Sequence, residues 1–248
     1  MGIEELEPRF VREGKSKRIY IKNGELILEF KDEITAGDGA RRDPVPGKGV
    51  VNAAISAHFF RVLEEAGIRT HFRGYDGCRR LFVERLEMIP LEVIVRNYAY
   101  GSLLRRMPLL RRMQRLDPPI FELHYKDDSL HDPLVTEDDV LRAGLLTAEE
   151  LSLIRRLALR VNEALSEHLR AHGLTLVDMK LEFGRGAGGE IVLGDEITGD
   201  TMRILDESGR HLDKEVYRRG GTPQQLLEAY LELARRLGVE VGRGELCC

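Results

Sequence analysis

The stretch LVDMKLEFG, residues 176–184, decides how the chain is read. Side chains of a strand alternate between its two faces. Val177, Met179, Leu181 and Phe183 are therefore expected on one face. Asp178, Lys180 and Glu182 are expected on the other, with no neutral polar residue among them. Antiparallel sheets often wet one face, so this pattern alone fits a solvated surface as well as the floor of a site for charged substrates.

The flanking residues favour the site. A glycine-rich turn, GRGAGG, leads into EIVLGDEI, which predicts a hairpin whose arms end at Glu182 and Asp195. Two nearby carboxylates repel and raise each other's pKa unless a cation stands between them. Mg²⁺ suits that position, because it takes one or two carboxylates and completes its shell with phosphate oxygens. Lys180, two residues before Glu182, suits a substrate carboxylate or phosphate. A surface ladder of ion pairs is the plain alternative.

Further out, KRIYIKNGELILEF predicts a second hairpin around Asn23-Gly24, a pair that tolerates the positive φ of a tight type I′ turn. KDEITAGDGARRDPVPGKG, with four glycines and two prolines, reads as a long polar loop, either functional or disordered. An amphipathic helix follows, ended by Gly67, and then short strands. LEVIVRNYAYGS reads as a strand running into a glycine turn, and LLRRMPLLRRMQRL as a short helix with a solvated arginine patch. Thr136/Asp139 and Thr147/Glu150 have capping-box spacing, the second opening a helix from about 148 to His172. Thr222-Pro223 opens a last helix. The expected class is α+β, with a sheet domain over 1–86, a larger mixed α/β domain over 87–248 and a ligand cleft between them.

Composition excludes several classes. The chain has 248 residues and a net charge of −4 from 38 basic and 42 acidic groups, which does not fit a general nucleic-acid binder. MGIEELEPRF lacks the basic start and apolar core expected of a signal peptide, and no apolar run comes near the ~18 residues that span a bilayer. Cys78, Cys247 and Cys248 have no zinc spacing and suggest no disulfide framework, which fits a reducing cytoplasm. The terminal cysteine pair reads as a frayed tail.

Four more constellations carry charge. Gly14, Lys15 and Lys17 in REGKSKRIY suit a glycine-hinged cover over phosphates, although the spacing is not that of a Walker A loop. Arg96 ends a Val/Ile-rich strand, with Ser102 just beyond a glycine, and a guanidinium fork suits a carboxylate or phosphate. Asp200 and Arg203 lie in a loop. Lys214 and Arg218 share a helix face. Each alone fits an ordinary surface pair. Together they describe a cleft for phosphates, carboxylates and a metal. The absence of a Gly-x-Ser-x-Gly elbow or a histidine base arrangement points to phosphoryl chemistry rather than hydrolysis.

At these residues the chain resembles the SAICAR synthetase family. The resemblance runs in order through EGKSKRIY, FKDEITAGDG, GKGVVNAAIS, MIPLEVIVRNYAYGS, YKDDSLHDP, LVDMKLEFG, LGDEITGDTMR and LDKEVYRR. It implies a two-domain α+β fold whose N-terminal nucleotide-binding domain is related to ATP-grasp and kinase-like folds. The implied reaction joins L-aspartate to the carboxylate of CAIR, 5-amino-1-(5-phospho-D-ribosyl)imidazole-4-carboxylate, using ATP and Mg²⁺ and releasing ADP and phosphate. Carried over by position, Gly14, Lys15 and Lys17 meet ATP phosphates, while Glu84 and Leu86 receive the adenine at the inter-domain hinge. Glu182 and Asp195 hold Mg²⁺. Lys180 lies near the reacting carboxylate, oriented by Asp178. Arg96, Ser102, Asp200 and Arg203 hold the ribonucleotide. Asp127 and Asp128 line the substrate side, and Lys214 and Arg218 close over the phosphate. The family also implies a cytoplasmic homodimer or larger homo-oligomer without nucleic-acid or membrane partners. Met179, Gly199 and His131 depart from the residues usual in the family, and none removes a charged group. A small-molecule kinase using the same cleft and a non-catalytic nucleotide-binding module are the competing functions.

Overall fold

A computed structural model describes residues 7–37 and 40–242. In chain order the first part contains β1 (Arg9–Glu13), β2 (Lys17–Lys22), β3 (Glu25–Phe30), β4 (Glu33–Ala36), β5 (Arg41–Pro44), α1 (Lys48–Glu65), β6 (Phe72–Tyr75) and β7 (Arg80–Val83). These strands form an antiparallel sheet in the order β1-β2-β3-β7-β6, with β4 and β5 as a separate two-stranded hairpin. Asn23 and Gly24 both take positive φ, 52° and 85°, as the type I′ turn between β2 and β3 requires. The segment expected to be a long loop instead holds β4 and β5, because Ile34 buries itself in the core and anchors the hairpin.

The second part contains β8 (Glu87–Met88), β9 (Leu91–Tyr98), α2 (Ser102–Arg106), β10 (Arg115–Tyr125), β11 (Leu134–Val135), α3 (Glu137–Arg142) and α4 (Ala148–Ala171). It continues with β12 (Thr175–Arg185), β13 (Ile191–Gly194), β14 (Met202–Leu205), α5 (Glu215–Arg218) and α6 (Pro223–Arg236). Its sheet runs β11-β10-β9-β12-β13, and β8 and β14 also pair with β12. All three predicted helix starts form: Thr136, Thr147 and Thr222 close reciprocal capping boxes with Asp139, Glu150 and Gln225.

The break between the sheets falls near residue 86, but the core is continuous. α1 touches β3, β6 and β7 as well as α4 and α6, and one cluster of buried side chains runs from Leu28 to Leu237. His71 N also donates to Leu193 O at 2.9 Å, stitching the two parts together. Among the described residues no helix is long and apolar enough to cross a membrane.

Two sequence expectations need correction. Cys78 is disulfide-bonded, where the sequence suggested no disulfide framework; the Cys247-Cys248 tail lies outside the described residues. The second concerns β12, whose register against β14 slips between Leu176 and Asp178. A β-bulge shifts the alternation of side chains. Val177 therefore packs with Tyr100 and Leu205 in a small separate cluster, while Leu176, Met179, Leu181 and Phe183 join the main core.

α1 is seated by a glycine. A Cβ on Gly49 would lie 2.5 Å from the carbonyl oxygen of Phe30 and 3.0 Å from its carbon. That neighbour is backbone and cannot rotate away. Gly49→Ala is expected to cost ~1–3 kcal/mol, the range for overpacking, read as a lower urea midpoint; an unchanged midpoint would show that the strand end yields freely.

Candidate active site

A cavity of about 540 Å³ opens where the β1–β2 turn faces the polar side of β12. Gly14, Lys15, Ser16 and Lys17 form one wall. Glu92, Lys126, Lys180, Glu182 and Asp195 line the opposite side, and Asp200, Lys214 and Arg218 line it further along. The polar face of β12 is thus not a wetted surface: Asp178 and Glu182 are 4% and 3% exposed.

Pairing of Glu182 with Gly194 across the hairpin puts Asp195 one residue beyond Glu182. Lys180 Nζ stands between the carboxylates, 2.7 Å from Glu182, 3.0 Å from Glu92 and 4.0 Å from Asp195. Lys17 Nζ bridges Asp195 at 2.8 Å and Glu196 at 2.5 Å, and Lys126 pairs with the other oxygen of Glu182. Ser16 Oγ and Thr198 Oγ1 donate to the two oxygens of Glu196, at 2.8 and 2.9 Å. Burial opposes charge at Lys17 and Lys180, but the surrounding carboxylates outweigh it and raise both pKa values. Burial likewise opposes charge at Asp195, yet Lys17, Lys180 and Lys126 hold its carboxyl below the usual range. All three groups are therefore ionised at neutral pH. Asp195 takes φ 59°, a left-handed conformation uncommon outside glycine and enriched at functional sites.

These carboxylates fit a hard, oxygen-seeking cation, and the ammonium groups among them fit phosphate oxygens. Among the described residues no group of three His, Cys, Asp or Glu could cage a metal ion. The donor set therefore suits a cation that a nucleotide's phosphates help to ligate.

The other end is a network around Arg96, which is 2% exposed. Its Nε and Nη2 donate to Glu122 at 2.9 and 3.0 Å, Nη1 donates to Asp178 at 3.1 Å, and Nη2 also reaches Ser102 Oγ at 3.0 Å. Arg203 donates to the same Asp178 oxygen at 2.8 Å. Burial raises the Asp178 pKa against both arginines. Asp200 accepts from Lys48 at 2.5 Å, Asn52 at 3.0 Å and Tyr230 at 2.7 Å. Lys214 has no carboxylate in its ion-pair range among the described residues, and burial lowers its pKa.

Most residues singled out in the sequence meet at this cleft or just behind its floor. Lys15 reaches across to exposed Asp128 at 2.6 Å. Three others stand apart. Glu84 pairs with Arg69 and Arg73, and Leu86 packs on Gly184 and Gly194 at the junction of the two parts; neither lines the cavity. Asp127 caps the short turn beside it by accepting from Ser129 N and Oγ, at 2.9 and 2.6 Å. Glu92, Lys126 and Glu196 were missed. Lys126 precedes the singled-out Asp127-Asp128 pair, and Glu196 follows Asp195, so adjacency was the available signal. Glu92 had a better one: it lies four residues before Arg96 on β9, and so on the same face of the strand. Lys48 and Asn52 sit in the first turns of α1, where nothing local marks them.

Residues 10–236 match the family model described as SAICAR synthetase. A phosphoribosylaminoimidazole-succinocarboxamide synthase of Caldivirga maquilingensis is 53% identical over 234 residues, 94% of this chain and 97% of that protein. A SAICAR synthetase solved in complex with ADP superposes with a TM-score of 0.88 at 45% identity, covering 96% of this chain and all of the other. The synthase of Ehrlichia chaffeensis gives 0.89 at 36% identity, covering 94% and 99%.

Proposed function

The chain belongs to the SAICAR synthetase family and is an ATP-dependent ligase of purine biosynthesis; from that premise we propose which residues carry the reaction. The observation that supports the assignment is the single cavity in which Lys17, Lys126 and Lys180 interleave with Glu182, Asp195 and Glu196.

A carboxylate is a poor electrophile because its leaving group would be oxide. In the proposed sequence an oxygen of the CAIR carboxylate attacks the γ-phosphorus of ATP, and the bond to ADP breaks. The amine of L-aspartate then attacks the acyl carbon. The C–N bond forms, the C–O bond to phosphate breaks, and the amine's surplus protons pass to phosphate and solvent. Such catalysis is mainly positioning and charge stabilisation.

Gly14, Lys15 and Lys17 are assigned to the nucleotide phosphates, and the backbone at Glu84 and Leu86 to the adenine. Glu182 and Asp195 are assigned to Mg²⁺, which when bound neutralises phosphate charge. Lys180 is assigned to the reacting carboxylate. Asp178, expected from the sequence to orient Lys180, accepts instead from Arg96 and Arg203 and is assigned to orienting those arginines, while Lys180 is held by Glu92 and Glu182. Those arginines, Ser102 and Asp200 are assigned to the ribonucleotide, Asp127 and Asp128 to the substrate rim, and Lys214 and Arg218 to closing over an anionic group. A cytoplasmic location, a homodimer or larger assembly, and a hinge between units 1–86 and 87–248 belong to the same proposal. The break between the sheets supports the last.

ADP release should require CAIR and L-aspartate together, matched mole for mole by the succinocarboxamide product. ADP formed at the full rate from CAIR with no response to aspartate would favour the kinase reading, which the comparisons do not.

A further inference from the structure

Tyr100 lies outside every assignment above, yet three guanidinium groups converge on it. The carbons of Arg112, Arg203 and Arg219 lie 5.1, 5.2 and 5.7 Å from its ring centre. Arg219 donates to its hydroxyl, and Arg112 Nη2 does so at 3.2 Å. Guanidinium groups donate and never accept. The hydroxyl proton therefore goes to the remaining neighbour, His211 Nε2, at 2.9 Å. That fixes the tautomer: His211 carries its proton on Nδ1 and donates to Asp213 Oδ2 at 2.8 Å. Asp213 is 0% exposed and is itself held by the backbone amides of Ile204 and Glu215, at 2.8 and 2.7 Å. The phenol is thus locked at a rigid, buried post while its oxygen gathers two cations.

The charge around this post is unbalanced. Ion pairs and the Tyr100 hydroxyl link six guanidinium groups, those of Arg96, Arg106, Arg112, Arg203, Arg218 and Arg219. Among the described residues four carboxylates answer them: Glu122, Asp178, Glu215 and, through His211, Asp213. Arg112 has no ion pair among the described residues, and buried Arg203 Nε lies 3.2 Å from Glu215 without the geometry of a hydrogen bond. Arg203 is also wedged against Gly101, where a Cβ would lie 2.9 Å from its Nη2. A cationic surplus built on fixed supports suits a dianion.

We propose that Tyr100, held by His211 and Asp213, is a positioning residue that sets Arg112 and Arg219 beside Arg203 to receive the phosphate monoester of the ribonucleotide. This rests on the assignment of Arg203 to the ribonucleotide. Tyr100→Phe keeps the ring and its cation–π contacts but releases two guanidinium groups. It should raise the KM for CAIR about tenfold, or ~1.4 kcal/mol, while kcat and the KM values for ATP and L-aspartate stay within about twofold. His211→Leu should behave like Tyr100→Phe. His211→Gln, which keeps an acceptor for the phenol, should restore most of the loss.

Arg203→Lys, assayed alongside, separates the two layers. If it raises the KM for CAIR and Tyr100→Phe does not, Tyr100 is packing and the positioning role is overturned. If neither changes that KM, the ribonucleotide assignment itself fails. If Tyr100→Phe instead raises the KM for L-aspartate, the arginines serve the amino acid and the proposal is wrong. Melting temperatures of all variants, with the His211 pair as a second handle, keep a folding defect from being taken for any of these.

Discussion

Glu182→Gln is expected to lose turnover by about 10³-fold or more, in the range for removing a charge-stabilising group from a water-excluded site, while folding much as before. The two halves follow from different contacts. Glu182 is 3% exposed on the cavity floor and holds Lys180 at 2.7 Å. It is also one of the two carboxylates proposed to carry the metal. Glutamine keeps its shape and loses its charge. The lysines are not stranded by the change, because Lys180 retains Glu92 at 3.0 Å and Asp195 at 4.0 Å, and Lys126 is half-exposed to water. A melting temperature within a few degrees of the parent is therefore expected, since ~1 kcal/mol moves a chain of this size by about 2–4 °C. Activity retained within tenfold would remove Glu182 from the metal site. Loss of both activity and the folded state would make it a structural ion pair.

The same strand shows what sequence could and could not reveal. The alternation of Asp178, Lys180 and Glu182 was legible because strand geometry is local, and the hairpin to Asp195 because its turn is short and glycine-rich. Capping boxes and the Asn23-Gly24 turn were legible for the same reason. The bulge at Val177 was not, because nothing within LVDMKLEFG signals it; it arises where β12 meets β14. β10 was missed because Pro118 and Pro119 interrupt a run that would otherwise read as a strand. It survives because its register slips between Arg115 and Ile120, across both prolines, before pairing with β9 resumes. The arginines after Ser102 read as a solvated patch, yet Arg106 reaches Glu122 and Arg112 reaches Tyr100. A charged side chain's partner is set by tertiary approach, which local pattern does not encode. Arg96 was correctly singled out, but its fork, expected to face a ligand, is closed on Glu122 and Asp178.

Lys48→Met is expected to be the most destabilising of the cleft substitutions, by ~3–5 kcal/mol, the cost of stranding one member of a buried pair. Lys48 is 2% exposed and its ammonium lies 2.5 Å from Asp200. Asn52 and Tyr230 also donate to that carboxylate, but they carry no charge. Burial works against the Asp200 anion, and Lys48 followed by Lys214 holds its carboxyl below the usual range. A carboxyl depressed on folding adds stability that is present above its unfolded pKa, about 3.9. That stability is lost as pH falls through the folded value. Without Lys48 the folded value rises, so Lys48→Met should unfold in acid at a higher pH than the parent. Asp200→Asn should destabilise too, by leaving the ammonium unpaired. The double variant removes both charges and should recover most of the loss, giving a coupling far from additive. Turnover should stay low in all three, because Asp200 is proposed to face the ribonucleotide and the pair ties α1 to the loop that carries it. Urea unfolding of the two single variants and the double variant measures the coupling. Additive losses would mean that Asn52, Tyr230 and Lys214 suffice to hold Asp200, and that the Lys48 ammonium is free to serve a ligand.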